Sequence, residues 1–164
     1  MLIGQNEKKL AAAAAKVKAA GAPDVWATPC GVADEEQVRV TVQGVLKRFG
    51  RLDVIVNNAG LMQFKPLEEL IGDDWLRVLH VDLLRAFYFT KEAFLHMKPG
   101  GAIMNVASIH AIETSPLVAP YAATKAALLS LTRSPCWKAN QRASAPTRCC
   151  PVPSTPPCAG KTPT

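Results

Sequence analysis

Tyr121 and Lys125 are the two residues whose spacing best suits proton-transfer chemistry. Side chains four positions apart on a helix project from the same face, one above the other. An ammonium beside a phenol favours the phenolate and lowers the pKa of the phenol, as a general acid or base near neutral pH requires. Ser108 lies thirteen residues before Tyr121, at the end of an apolar run, where its hydroxyl could bond the same substrate oxygen. Together the three residues predict a site that exchanges a proton with an oxygen atom.

A second polar group, Asn57-Asn58-Ala59-Gly60, follows the apolar run Val54-Ile55-Val56. Each feature has an ordinary structural interpretation. The Asn-Gly segment suits a turn, Ser108 could cap a helix, and Tyr121 and Lys125 could be exposed at a helix start. The joint occurrence of all these residues at these spacings makes coincidence a weaker explanation than a shared site.

Strand-like and helix-like patterns alternate along the chain. Strands are predicted at 25–28, 54–57 and 103–107, with Met1 to Ile3 as the end of another, and helices between Asn6 and Gly21 and at 34–49, 73–96 and 121–133. The unbroken apolar run Val54-Ile55-Val56 predicts a strand buried on both faces. This order indicates an α/β fold with a doubly wound parallel sheet. Ligands of such sheets bind beyond the carboxyl ends of the strands, where Asn57 and Ser108 both lie.

From about Leu2 to Ser134 the chain resembles the short-chain dehydrogenase/reductase family, most closely at 51–60 and 101–133. The resemblance implies an NAD(P)-binding Rossmann fold and hydride transfer between NAD or NADP and a small-molecule carbonyl or secondary alcohol. The motifs resemble those of 3-oxoacyl reductases, sugar dehydrogenases and hydroxy-acid dehydrogenases equally well. Family members commonly form dimers and tetramers through the helix at 73–96, so the resemblance also implies homo-oligomers in intact relatives.

The resemblance also implies roles for individual residues. Tyr121 would donate or accept the proton, Lys125 would favour the phenolate and hold the nicotinamide ribose, and Ser108 would orient the substrate carbonyl. The segment containing Asn57, Ala59 and Gly60 would line the cofactor cleft and stabilise the central sheet.

The sequence departs from the family pattern at four places. The glycine-rich phosphate loop is absent, because the chain begins near the family's second strand, and we expect dinucleotide binding to be weak. Gly4-Gln5 replaces the residue that selects NAD or NADP, and Gly31, before Val32, stands where an Asp usually lies near the adenine. Asp82 takes the place of a catalytic Asn, where it would pair with Lys125 and weaken the effect of that lysine on Tyr121.

The sequence divides at residue 134. Residues 1–134 are expected to form the Rossmann domain, incomplete at both ends, and residues 135–164 a disordered tail, with seven of the thirteen prolines and four of the five cysteines. When the tail is back-translated and its codons are read one base earlier, the degenerate code permits a sequence that continues the family pattern. This suggests that the tail results from a frameshift. A natural proline-rich tail is the alternative.

Composition argues against several other functions. The tail carries four basic and no acidic residues, so the remainder has a net charge of only +2, without a basic patch interleaved with aromatics that would favour nucleic acid. The cysteines lack neighbouring histidines, so no metal site is expected. No apolar run is long enough for a membrane span or suited to a signal peptide, and a cytoplasmic location is the default. The rival to an enzyme is an inactive fragment that keeps only helix-mediated association.

Overall fold

A computed structural model describes residues 1–141 and 149–152 of the protein, with side-chain surroundings up to Arg133. The strands are β1 (Leu2–Gly4), β2 (Ala27–Pro29), β3 (Val54–Asn57), β4 (Ala102–Val106) and β5 (Cys149–Val152), and the helices are α1 (Glu7–Ala19), α2 (Glu35–Phe49), α3 (Gly72–Leu79), α4 (Arg85–His96) and α5 (Ala119–Gln141). A π-helical segment, His80–Leu84, joins α3 to α4. Short 3₁₀ turns lie at Leu67–Glu69 and Ile109–Ala111.

All described strand pairs are parallel, and they form two separate sheets. One sheet has the order β1-β2 and the other the order β3-β4-β5. The helices connect these strands in the alternating order of a Rossmann-type α/β fold, so the predicted fold class is confirmed.

Local sequence signals set several helix ends. The Asn6 side chain accepts a hydrogen bond from the Lys9 N–H at 2.9 Å and caps α1. Asp34 caps α2 in the same way, by accepting from the Gln37 N–H at 3.1 Å. Gly50 ends α2 with a φ of 70°, a left-handed conformation that favours glycine.

The main core lies between α2, α4 and the two sheets. It is formed by buried residues of these elements, of the loop after β2 and of the end of α4: Cys30, Val32, Val38, Val42, Ile55, Phe89, Ala93, Met97 and Ile103. A smaller cluster joins Val78 to Val118 and Tyr121. This second cluster fixes the start of α5 against α3 and so positions the predicted catalytic tyrosine.

One burial prediction was wrong. Val54 and Val56 are 57% and 54% exposed, whereas Ile55 between them is buried. The run Val54-Ile55-Val56 indicated a strand covered on both faces, but in the described part of the chain β3 is covered only on the face of Ile55, which joins the main core with Phe89.

Several boundaries also differ from the prediction. Strand β2 begins at Ala27 and not at 25, β4 lies one residue earlier than predicted, and α5 continues to Gln141, past the predicted end at 133. Strand β5 pairs with β4 in the region predicted to be a disordered tail. The rest of that tail, 142–148 and 153–164, lies outside the described residues, so its division from the domain stays a prediction.

The stripe of residues at helical spacing from Trp75 to Phe94, predicted to be core or a subunit contact, is only partly core. Val78, Ala86 and Thr90 are buried, whereas Trp75 and Phe87 are exposed. Association through this helix also stays a prediction.

Candidate active site

Tyr121 and Lys125 project from one face of α5 into the same site, as their spacing predicts. The Lys125 Nζ atom lies 5.5 Å from the centroid of the Tyr121 ring, within the range of a cation–π contact. Tyr121 is 7% exposed and packs against Val78 and Val118. The ring is therefore held by apolar contacts, while its charged neighbour lies beside it.

Three groups surround the Lys125 ammonium in the described structure. Its Nζ atom donates a hydrogen bond to the Val106 carbonyl oxygen at 3.0 Å, at the end of β4. It lies 3.9 Å from the Asp82 Oδ2 atom, and the Tyr121 ring is its third neighbour. Burial lowers the pKa of Lys125, and the nearby Asp82 carboxylate opposes that shift.

The predicted proximity of Asp82 to Lys125 is present in the structure. Asp82 is completely buried, and its Oδ1 atom accepts a hydrogen bond from the Leu61 N–H at 2.6 Å. Burial raises the pKa of Asp82, while the Leu61 hydrogen bond and the charge of Lys125 partly offset this effect. The carboxylate is carried by the π-helical segment, a type of irregularity that is frequent at functional sites.

Ser108 follows β4 directly and is 3% exposed. Its Oγ atom accepts a hydrogen bond from the His110 N–H at 3.3 Å and caps the turn Ile109–Ala111. The described residues show no direct hydrogen bond between the Ser108 and Tyr121 hydroxyls. A link through one bridging group, such as a substrate oxygen, stays a prediction.

The segment after β3 reaches the same site. Asn57 donates from Nδ2 to Asn105 Oδ1 at 2.8 Å, and Asn105 donates to Thr132 Oγ1 at 2.9 Å, which ties β3 to β4 and α5. A Cβ atom at Gly60 would lie 3.5 Å from Asp82 Oδ2 and 3.6 Å from Lys125 Nζ. The Gly60 backbone is thus adjacent to the buried ion pair.

Gly31 and Val32 lie in the loop after β2. The Gly31 N–H donates to Gln37 Oε1 at 2.8 Å, and Val32 is 8% exposed in the main core. Val32 and the segment Asn57 to Gly60 line one cavity of about 950 Å³. The structure therefore connects Val32 and the residues after β3 through this cavity.

Arg85 is a residue that the sequence reasoning missed. It lines the same cavity and is only 2% exposed, and neither its Nε nor its Nη2 atom has a hydrogen-bond partner among the described residues. Burial lowers the pKa of Arg85 to about 10. Its position within the apolar stretch Leu83-Leu84-Arg85-Ala86-Phe87 was the available signal, because an arginine there must be buried or break the stripe.

Within the described residues, no group of three His, Cys, Asp or Glu side chains is placed to hold a metal ion. None of the helices described is both long enough and apolar enough to span a membrane.

The family profile described as short chain dehydrogenase matches residues 1–152. The chain belongs to the short-chain dehydrogenase family. It is 36% identical over 134 residues to a 3beta-hydroxysteroid dehydrogenase of Mediterraneibacter gnavus, a match that covers 80% of this chain and 48% of that protein. It is 34% identical over 131 residues to the 3-oxoacyl-[acyl-carrier-protein] reductase FabG of Staphylococcus aureus, covering 79% of this chain and 53% of that protein. The chain spans about half the length of these curated relatives.

Solved structures agree with this membership. A short chain dehydrogenase from Mycobacterium smegmatis superposes with a TM-score of 0.84 at 29% identity, covering 93% of this chain and 63% of the other. A short chain dehydrogenase/reductase from Burkholderia phymatum, in complex with NAD, superposes with a TM-score of 0.81 at 25% identity, covering 94% of this chain and 54% of the other. NAD(P) is the cofactor of the family to which the chain belongs.

Proposed function

We propose that this chain carries the active site of an NAD(P)-dependent oxidoreductase that interconverts a carbonyl and a secondary alcohol. The observation that supports this most is the buried ammonium of Lys125, only 2% exposed. It lies beside the Tyr121 ring and donates to Val106 O, two residues before Ser108. A lysine with only a solubilising role would extend into water.

The residues at this end of the site fit the nicotinamide riboside part of the cofactor. Lys125 makes one hydrogen bond within the described structure, so its other ammonium protons remain for ribose hydroxyls. Because Gly60 has no side chain, the segment after β3 leaves space beside the Lys125 ammonium.

For carbonyl reduction, the residues act on the oxygen of the substrate. When bound, the reduced nicotinamide supplies the hydride that forms the new bond to the carbonyl carbon. Tyr121 gives its phenolic proton to the carbonyl oxygen, and Ser108 donates a hydrogen bond to the same oxygen. Lys125 stabilises the phenolate that remains on Tyr121. Alcohol oxidation runs the same transfers in reverse.

Asp82 takes part in this scheme through Lys125 and does not contact the reacting oxygen. Its carboxylate lies 3.9 Å from the lysine ammonium, so it partly cancels the positive potential that Lys125 imposes on Tyr121. We infer that Asp82 is a positioning residue that holds Lys125 in place and moderates its charge.

Apolar residues around Tyr121 support a substrate with a hydrophobic body. Val78 and Val118 pack on the tyrosine, and Leu61 and Met62 border the same cluster. The two curated relatives described above are named for a hydroxysteroid and for an acyl-carrier-protein substrate. We therefore propose 3-oxoacyl thioesters and oxosteroids as the first compounds to assay.

The test follows oxidation of NADH and NADPH by this chain with those two substrate classes. Tyr121→Phe removes the phenolic hydroxyl and is expected to lower turnover by about a hundredfold or more. Lys125→Met is expected to lower it too, because the remaining phenol loses its charged neighbour. Tyr88→Phe is the matched control, since Tyr88 packs against the main core, and it should leave turnover unchanged.

Cofactor affinity is measured in parallel by calorimetry. Tyr121→Phe should retain the cofactor affinity of the unmodified chain, because the phenol acts on the substrate oxygen. Full activity in Tyr121→Phe, or equal losses in Tyr121→Phe and Tyr88→Phe, would contradict the proposed mechanism.

A further inference from the structure

Leu117 has a backbone conformation that its residue type disfavours. Its φ is 72°, and it is the one residue other than glycine with a positive φ in the described part of the chain. A Cβ atom in this left-handed region crowds the following carbonyl oxygen, so glycine is the residue that normally occupies it. Other residues held in such conformations cluster at active sites and at segments that contact ligands.

Burial of the leucine side chain does not explain why leucine occupies this position. Leu117 is 45% exposed, whereas the next residue, Val118, is only 1% exposed. A turn that carries Val118 into the core could be made with less strain by glycine. The unfavourable φ is therefore combined with a side chain that contributes little to the core.

Hydrogen bonds place Leu117 beside the candidate active site. The Leu117 carbonyl oxygen accepts from the Lys65 N–H at 2.9 Å, and the Lys65 Nζ atom donates to Asp74 Oδ2 of α3 at 2.9 Å. Leu117 lies four residues before Tyr121 and next to Val118, which packs on the tyrosine. It is thereby held where the segment after β3 meets the start of α5.

The segment that donates to Leu117 is itself rich in apolar side chains. Leu61 and Met62 border the cluster that contains Tyr121. Phe64, the residue before the N–H donor, is 66% exposed. The two segments joined by this hydrogen bond thus both carry exposed apolar side chains, which would gain from contact with an apolar ligand.

We propose that Leu117 determines substrate specificity, because its side chain contacts the apolar body of a substrate whose carbonyl oxygen lies at Tyr121. This inference rests on the proposed function, which places the reacting oxygen at the Tyr121 hydroxyl. The strained backbone keeps the leucine side chain out of the core and so leaves it available to the ligand. Leu117 therefore favours 3-oxoacyl thioesters with a long acyl chain over those with a short one.

The test measures binding to the full chain by isothermal titration calorimetry, with the N-acetylcysteamine thioesters of 3-oxodecanoic and 3-oxobutanoic acid. NAD and NADP are added in turn in their oxidised forms, which cannot supply a hydride to these ketones, so binding is measured without turnover. Leu117→Ala should weaken binding of the long thioester about tenfold and that of the short one by less than about twofold, because only the long chain reaches the removed side chain. Leu95→Ala is the matched control, since Leu95 is 63% exposed near the end of α4, and it should leave both affinities unchanged.

Leu117→Gly separates the role of the side chain from that of the backbone. It should weaken binding of the long thioester as much as Leu117→Ala does, because both variants lack the leucine side chain. Leu117→Gly should nevertheless unfold at a higher urea concentration than Leu117→Ala, because it also removes the Cβ atom that is strained at this φ. If Leu117 served only to shape the turn, the more stable Leu117→Gly would bind the long thioester as well as the unmodified chain does.

Three results would overturn the inference: no binding of the long thioester by the unmodified chain, equal losses for the two thioesters, and unchanged binding by Leu117→Gly. Failure of the proposed function gives a different result. If the long thioester binds as expected but the chain does not oxidise NADH or NADPH with it, the contact with Leu117 stands and the proposed reaction fails. Turnover of the long thioester that Leu117→Ala leaves unchanged has the opposite meaning.

Discussion

At the scale of single residues, the feature that sets the chemistry is the buried pair of Asp82 and Lys125. Neither group is well suited alone to a buried position, since burial raises the pKa of Asp82 and lowers that of Lys125. Each charge reduces the cost of burying the other, but the 3.9 Å separation leaves Asp82 Oδ2 without a hydrogen bond within the described structure. A buried pair of this kind gives little net stability. Removing one member is nevertheless destabilising, because the other charge is then left buried and unpaired.

We predict that Asp82→Asn changes the pH dependence of stability in a defined direction. Because the pKa of Asp82 is raised in the folded protein, the native state binds more protons than the unfolded state above pH 3.8. The contribution of Asp82 is thus fully present below that pH and is lost as pH rises through the raised value. The free energy of unfolding of the unmodified chain minus that of Asp82→Asn should therefore fall with rising pH across this window. Urea unfolding at a series of pH values measures it.

Asp74→Asn is the matched control with the opposite sign. Hydrogen bonds from Gln63, Lys65 and the Ile71 backbone lower the pKa of Asp74 to about 2. The stability that Asp74 contributes is fully present above pH 3.8 and is lost as pH falls from there toward its lowered pKa of about 2. The corresponding difference for Asp74→Asn should rise with pH. A pH-independent difference for Asp82→Asn, with the expected slope for Asp74→Asn, would contradict the assigned shift.

The sequence predicted which residues of the candidate site lie close together, because that proximity follows from spacing along one helix and at two strand ends, whereas their roles stay predictions. The helical spacing placed Tyr121 beside Lys125, and Asp82 was expected near the lysine. Arg85 was missed, because burial of an arginine depends on what packs around it and leaves no periodic signal. The capping of the Ile109–Ala111 turn by Ser108 was considered only as an alternative.

At the scale of elements, the clearest limit of sequence reasoning is the long helix. Its apolar spacing predicted one continuous helix at 73–96, but the structure contains a π-helical segment at His80–Leu84. A π segment adds a single residue to one turn, which is too small a change to alter the apolar pattern. It nevertheless rotates the following residues relative to the preceding ones and so affects where Asp82 and Arg85 point.

Helix ends were more predictable, and they permit a paired test. Gly50→Ala introduces a Cβ at a φ of 70° and is expected to lower the free energy of unfolding by about 1 kcal/mol. Gly72→Ala lies at the start of α3, where a Cβ would meet nothing within 4 Å. It should leave stability unchanged or raise it by about 0.4–1 kcal/mol. Urea unfolding of the two variants provides the comparison, and equal destabilisation by both would show that φ does not determine the Gly50 preference.

At the scale of the whole molecule, the parallel α/β fold was predictable because at least one helix lies between each pair of successive strands in the described chain. The separation into two sheets was not. Whether a strand such as β3 is covered on both faces depends on the elements that pack against it. The apolar run Val54-Ile55-Val56 is the same whether one face or both faces are covered. The wrong prediction that Val54 and Val56 are buried follows from that limit.

The two sheets should also differ in local stability, because no described backbone hydrogen bond of the strand ladders joins β1 to β3. The unit formed by β1, α1 and β2 contacts the remainder through Ile3 and Cys30 at the main core and through Trp26, whose ring centroid lies 6.5 Å from that of Phe49. The only buried side chain of α1 is Leu10, and the Arg48–Asp24 ion pair is exposed and therefore contributes little.

We therefore predict that residues 1–30 open without unfolding of the rest. Native-state hydrogen exchange followed by mass spectrometry should show the Leu2 and Cys30 amides, which bond across β1 and β2, exchanging about tenfold or more faster than the Ala102 amide, which bonds β4 to β3. Low concentrations of urea should accelerate the Ala102 amide more than the other two, because its exchange requires the larger unfolding. Equal rates and equal urea dependence at the three amides would mean that the two sheets unfold as one cooperative unit, although no strand pairing joins them.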